Sequence, residues 1–235
     1  PEFVQPQDGH DKQDCEIAAG KRWLTTWGAH YAPWRATLLG DDLYCHQPFC
    51  LAAQEQGFDF ILVCKTDSHS LTYEWLEDFE REGKIKQQKR VKRQGKQRLT
   101  EHYRYLNEVP LRDTDDALSI NWCEVTVTDG KGKIVYRNAW ATSHHITAQN
   151  VTTIIEAGRA RWKVENENNN ILKNHGYQLA HNFGHGKQHL SNLLVTLILL
   201  AFLMHTALDW LDERYQQIRR KLPSRQTFFE HLRAL

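Results

Sequence analysis

Methionine is all but missing from this chain. Met204 is the single example in 235 residues, and the sequence opens on Pro1. It is therefore expected to be the C-terminal part of a longer product. Cysteine is scarce too: five residues, an odd number with no secretory signal ahead of them, argue against a disulfide scaffold and for a reducing cytoplasm. No phosphate-binding glycine-rich loop, serine elbow or dinucleotide fingerprint occurs, which sets aside the common nucleotide-binding and acyl-transfer motifs. Cys45, His46 and Cys50 form one tempting group, and His181-Asn182-Phe183-Gly184-His185-Gly186 with His189 another. Neither has the C-x-x-C partner of structural zinc spacing, so zinc is not expected, and the glycines read as a turn. Long apolar runs are lacking. Leu190–Leu211 is interrupted by polar residues, and its unbroken core, Leu197–Met204, falls far below the roughly 20 residues a membrane span needs. A buried core helix is expected there, and no membrane partner.

What remains is a globular composition, 40% hydrophobic and 25% charged with a net charge of +1. Asp14–Tyr31 reads as a helix N-capped by Asp14, with Ile17, Ala18, Trp23, Leu24 and Trp27 as its apolar stripe. Trp34–Leu39 is a short strand stopping at Gly40-Asp41; Pro48–Gln56 is a helix ending at Gly57. Phe58–Cys64 (FDFILVC) is almost wholly apolar, as in the middle of a covered sheet, and Leu71–Glu82 is an amphipathic helix. The pattern then turns β-rich over His102–Val109, Ile120–Thr128 and Ile134–Thr142, with Asp129-Gly130-Lys131-Gly132 as a hairpin turn. Helix returns over about 147–173 and 187–217. Three segments follow: an α/β part over 1–83, a basic and β-rich part over 84–142, and a helical part over 143–235.

Charge is evenly balanced overall but not locally. Lys84, Lys86, Lys89, Arg90, Lys92, Arg93, Lys96 and Arg98 crowd one fifteen-residue stretch without an acid. Such a run is a solvated loop or helix face, or a phosphate-binding strip whose affinity is strongly salt-dependent. Most of the eight Trp residues fall in apolar stretches and read as core; Trp140 is the best candidate for stacking on a base.

Two acidic positions stand out. Asp41 follows an apolar strand and a glycine, where Asp usually caps a turn. Glu165 lies about 120 residues on, four after Arg161, so on a helix the two share a face as a surface ion pair would. A strand-end acid and a helix acid backed by Arg also suit divalent-metal phosphoryl chemistry. LLGDDLY, then a helix, then FDFILVCK, then NAWATSHHITAQNVTTIIEAGRARWKVENENNNILK resembles the DDE-type transposases of bacterial insertion sequences, in the branch with a β-rich insertion. That family's signature runs Tyr, two residues, Arg, three residues, Glu, six residues, Lys. Arg161 and Glu165 fit its centre; Gly158 stands at the Tyr position and Leu172 at the Lys position, with Lys173 one place late.

The resemblance covers Asp14 to about Leu211. It implies an α/β ribonuclease-H-like core lacking its N-terminal strands. Asp41 and Glu165 become ligands of Mg²⁺ (or Mn²⁺), Arg161 a catalytic partner, and Glu167 a weaker candidate for the same carboxylate. Lys89, Arg90, Lys92, Arg93, Trp140, Arg159 and Lys173 become DNA contacts. The implied partners are double-stranded DNA, at transposon ends and target, and a second copy in a synapse, within the bacterial cytoplasm. Asp8 and Asp11 precede Asp41 too closely to be the family's first Asp, and Phe3-Val4 reads as the end of a preceding strand, so the chain alone is expected to be inactive. A non-catalytic DNA-binding or transposase-associating remnant, and a metal-dependent nuclease of the same fold, remain as alternatives.

Overall fold

The computed structural model describes residues 2–4, 14–95, 97–182, 184, 186–222 and 224–234; Asp8, Asp11, Lys96 and His185 lie outside them. The chain forms two compact units, Glu2–Arg161 and Trp162–Leu235.

The first unit is built on one six-stranded, mostly antiparallel sheet in the order β1-β2-β6-β5-β4-β3. β1 (Thr37–Gly40) and β2 (Asp59–Val63) pair in parallel, linked by α2 (Gln47–Glu55). β6 (Ile134–Thr142) runs antiparallel to β2 and joins it to the meander of β3 (Lys86–Gln94), β4 (Gln97–Pro110) and β5 (Ser119–Thr128). Segments 1–83 and 84–142 thus share a single sheet. The hairpin at 129–132 forms as its turn residues require: Asp129 accepts from the Lys131 and Lys133 amides, and Gly132 sits at φ 82°, a conformation glycine adopts without strain.

Period-two alternation gives the sheet two cores. Phe60, Leu62, Ile120, Trp122 and Ala141 face one way, packed with Leu24 of α1 (Glu16–Tyr31), Phe49 of α2 and Leu76 of α3 (Ser70–Arg81). Ile61, Tyr103, Tyr105, Val125 and Trp140 face the other way, against Val151, Ile154 and Ile155 of α4 (Val151–Ala160). β2 is buried on both sides, as its apolar run requires.

The ends of this unit depart from expectation. Asp14 does not cap α1: its buried carboxylate takes both terminal nitrogens of Arg22 at 2.8 Å, and Cys15 holds the cap position without a side-chain bond. Residues 2–4 form no strand; the Phe3 carbonyl also accepts from Arg22.

The second unit is helical: α5 (Asn170–Asn174), α6 (Leu190–Leu211), α7 (Glu213–Lys221) and α8 (Arg225–Arg233). α6 was expected to be a buried core helix, yet none of its residues is buried. It is long and apolar enough to cross a membrane by length and composition. The expectation fails because the partners within this unit cover so little of it. Tyr177, half-buried Phe202 and His205, and Phe229 form an aromatic cluster along one side, while Leu193, Leu200, Leu203 and Trp210 are exposed.

Candidate functional site

Parallel pairing puts the C-terminal ends of β1 and β2 at the same edge, and two loops meet there. In sheets of this kind that edge is where ligands gather, because the loops leave the strands side by side. Gly40 ends β1 because nothing larger fits: a Cβ there would lie 2.6 Å from Leu62 Cδ2 and 3.2 Å from Tyr44 Cβ. The chain then turns, with half-buried Asp41 accepting from the Leu43 amide at 3.0 Å. Asp41 is thus at its expected place after the strand, and its carboxylate also does a capping Asp's work. Asp42 reaches across to the second loop, where its Oδ1 accepts from the Lys65 amide at 2.7 Å.

Behind this turn, Cys45, Cys64 and His69 come together with their ligand atoms all within 4.8 Å of one another, and all three are buried. These residues could hold a metal ion. Cys45 opens the way into α2, Cys64 follows β2, and His69 precedes α3. The hydrogen bond to Cys64, and then burial, push the Cys45 thiol well above its ordinary range. Burial lowers His69, against the opposing pull of Asp42, whose Oδ1 lies 3.5 Å from His69 Nε2. Of Cys45, His46 and Cys50, only Cys45 belongs to this cluster. His46 is exposed, and Cys50 points into the apolar core, where burial raises its thiol to about 12. The signal available beforehand was Cys64, which stands just past an apolar strand next in order to the one that ends before Cys45.

The other sequence-predicted residues lie on later elements. Arg161 ends the first unit and Glu165 belongs to the second. The single long helix expected over 147–173 is not uniform: α4 runs from Val151 to Ala160, and a π turn occupies Val164–Asn169 before α5. Glu165 and Glu167 are exposed within that turn and Lys173 is exposed in α5.

Five of the basic stretch's cations, Lys86, Lys89, Arg90, Lys92 and Arg93, lie in β3, an edge strand, and charge on an edge strand keeps it from pairing with another chain. Alternation splits its cations. Lys92 lies 3.2 Å from buried Glu101 and 3.4 Å from Glu156 of α4, with Arg90 at 3.9 Å from Glu156. Lys89 and Arg93 project from the opposite face, paired in register with His102 and Arg98. Arg159 lies over the Tyr136 ring at 4.6 Å. Trp140 is not a stacking platform: it is fully buried in the α4-side core, packed so closely on Gly158 that a Cβ there would meet its Nε1 at 2.7 Å. Its place in β6, an interior strand of the sheet, on the face α4 covers, explains the burial.

Comparison with known proteins adds no relative: no family model matches this chain, and no curated protein matches it either.

Proposed function

We propose that this chain is the C-terminal part of a DNA transposase that cuts and joins DNA strands with Mg²⁺, on a core of ribonuclease-H type continued by a β-rich block. The observation that carries the reading is the parallel pair β1–β2 with Asp41 at the end of β1, followed by further strands of the same sheet and then by the helical stretch bearing Arg161 and Glu165. Asp41 and Glu165 are assigned as two of the metal-binding carboxylates. Their oxygen donors suit Mg²⁺, which takes one or two carboxylates and fills its shell with phosphate and water; the thiols of Cys45 and Cys64 do not. Asp41 and Glu165 would hold Mg²⁺, which would supply Lewis-acid activation of the attacking oxygen and charge stabilisation at the leaving one. Arg161 would orient the Glu165 carboxylate or hold a phosphate in bidentate fashion.

The test is Mg²⁺-dependent strand cleavage and joining by the intact enzyme carrying Asp41→Asn or Glu165→Gln. Each substitution is expected to abolish both steps, and unchanged activity in both variants overturns the assignment. A second reading, DNA binding without cutting, is favoured by the exposed cations Lys89, Arg93 and Arg98 on one face of the β3–β4 hairpin. It expects affinity to fall steeply with salt, with Lys89→Gln and Arg93→Gln each lowering the salt slope by about one. Salt-independent binding would sink it.

A further inference from the structure

We propose that Cys45, Cys64 and His69, with the Asp42 carboxylate as fourth ligand, form a structural zinc site that ties the loop after β1 to the loop after β2. The inference does not depend on the transposase reading.

Buried cysteines are ordinarily small hydrophobes, and all four buried cysteines here belong to the apolar cores, Cys45, Cys50 and Cys64 to one and Cys123 to the other. Cys45 and Cys64 differ in what stands beside them. The His69 side chain is 4% exposed, and its Nε2 has no hydrogen-bond partner among the described residues. Asp42 Oδ1 at 3.5 Å is too far to serve as that partner. A buried ring nitrogen without a partner is uncommon, and this one shares its pocket with two thiols.

The donor set selects the metal. Two thiolates, one imidazole and one carboxylate suit tetrahedral Zn²⁺, and an iron–sulfur cluster would call for more cysteines. Tetrahedral bonds of about 2.0–2.3 Å place neighbouring ligand atoms roughly 3.3–3.8 Å apart. The Cys45, Cys64 and His69 donors, already within 4.8 Å of one another, need only a short contraction, and Asp42 Oδ1 stands 3.5 Å from His69 Nε2. Four protein ligands, three of them buried, leave no open position, which is the pattern of a structural rather than a catalytic zinc.

The backbone around the site is already fixed. The Cys64 amide donates to the Ala139 carbonyl at 3.0 Å, Tyr73 Oη donates to the Cys64 carbonyl at 2.8 Å, and the His69 amide donates to the Lys65 carbonyl at 3.1 Å. A metal here would pin the turn that presents Asp41 by way of its neighbour Asp42.

The experiment is metal analysis of the full chain purified in reductant without chelator, followed by replacement of zinc with Co²⁺ and absorption spectroscopy. One zinc per chain is expected, and a cobalt form with strong tetrahedral bands and thiolate-to-metal charge transfer. Cys64→Ser and His69→Ala should bring zinc to background, while Cys15→Ser, which removes an exposed thiol, should keep it. If the variants do not fold, the cobalt spectrum of the unaltered chain decides. Folded protein that takes up neither metal, a cobalt spectrum without thiolate bands, a Cys45–Cys64 disulfide in reductant-free mass spectra, or zinc retained in Cys64→Ser would each overturn the proposal.

Discussion

The two units of this chain use apolar residues in opposite ways. In Glu2–Arg161, strands bury Phe60, Leu62, Trp122 and Trp140 almost completely, because helices cover the sheet on both faces. In Trp162–Leu235, the longest and most apolar helix has no fully buried residue; among the described residues, full burial is confined to Leu172, Tyr177, Tyr215 and Phe228. Apolar content alone therefore does not predict a core. A sheet offers a broad surface that two helix layers can close, whereas a lone helix apolar on all sides needs neighbours around its whole circumference.

The contrast predicts where stability resides. Trp140→Ala should cost about 3–5 kcal/mol, since it empties a fully enclosed site of the largest side chain; denaturant unfolding measures this, and a loss under about 1 kcal/mol would break the comparison. Next comes Glu124, 3% exposed, with Arg137 Nε at 2.8 Å and Arg104 Nη1 at 3.2 Å, while Arg104 also reaches Glu80 at 2.7 Å. Glu124→Gln leaves Arg137 without its anion, while Arg104 keeps Glu80. It should destabilise by roughly 1–2 kcal/mol in the same assay, because a buried charge-assisted acceptor is lost while the Arg137 guanidinium stays partly solvated.

Periodicity made much of the first unit legible. β1, β2, α3, the hairpin at 129–132 and the position of Asp41 all follow from short apolar runs and turn residues. β3 was hidden because Lys and Arg occupy both faces of an edge strand, so no apolar alternation marks it. The π turn at Val164–Asn169 was hidden because Glu and Asn do not distinguish a π turn from an α-helix. The Cys45–Cys64–His69 group was hidden for another reason: the parallel pairing of β1 and β2 brings its members together, and that is a tertiary fact. The exposure of α6 could not be read either, because an apolar sequence states what a helix would bury and not what is present to cover it.

Acid should loosen the aromatic cluster on α6. His205 Nδ1 is 2.8 Å from Tyr177 Oη, and its ring stacks on Tyr215. Burial lowers its pKa, and Arg225 and Arg219 lower it further against Asp209, which raises it. A histidine depressed in the folded state binds its proton more readily when unfolded. The stability tied to it is therefore fully present above the ordinary value of about 6.5 and is lost as pH falls through the lower folded value. His69 and His102 are depressed in the same direction, so the variant difference isolates the effect. Thermal unfolding at about pH 7 and pH 5 should show a smaller acid loss in His205→Gln than in the parent. Equal losses would remove His205 from the account.

The smallest effect should come from the most apolar element. Leu203 lies mid-helix in α6 and is 64% exposed. Burying a leucine contributes about 1.5–3 kcal/mol, so one left in water has little of that to lose. Leu203→Glu should change stability by no more than about 0.5 kcal/mol, as at an ordinary surface position, and should raise solubility by breaking an exposed apolar row. A loss of about 2 kcal/mol or more would mean that a partner or a neighbouring surface covers α6 in solution, and the contrast between the units would then be one of what surrounds them rather than of how they are built.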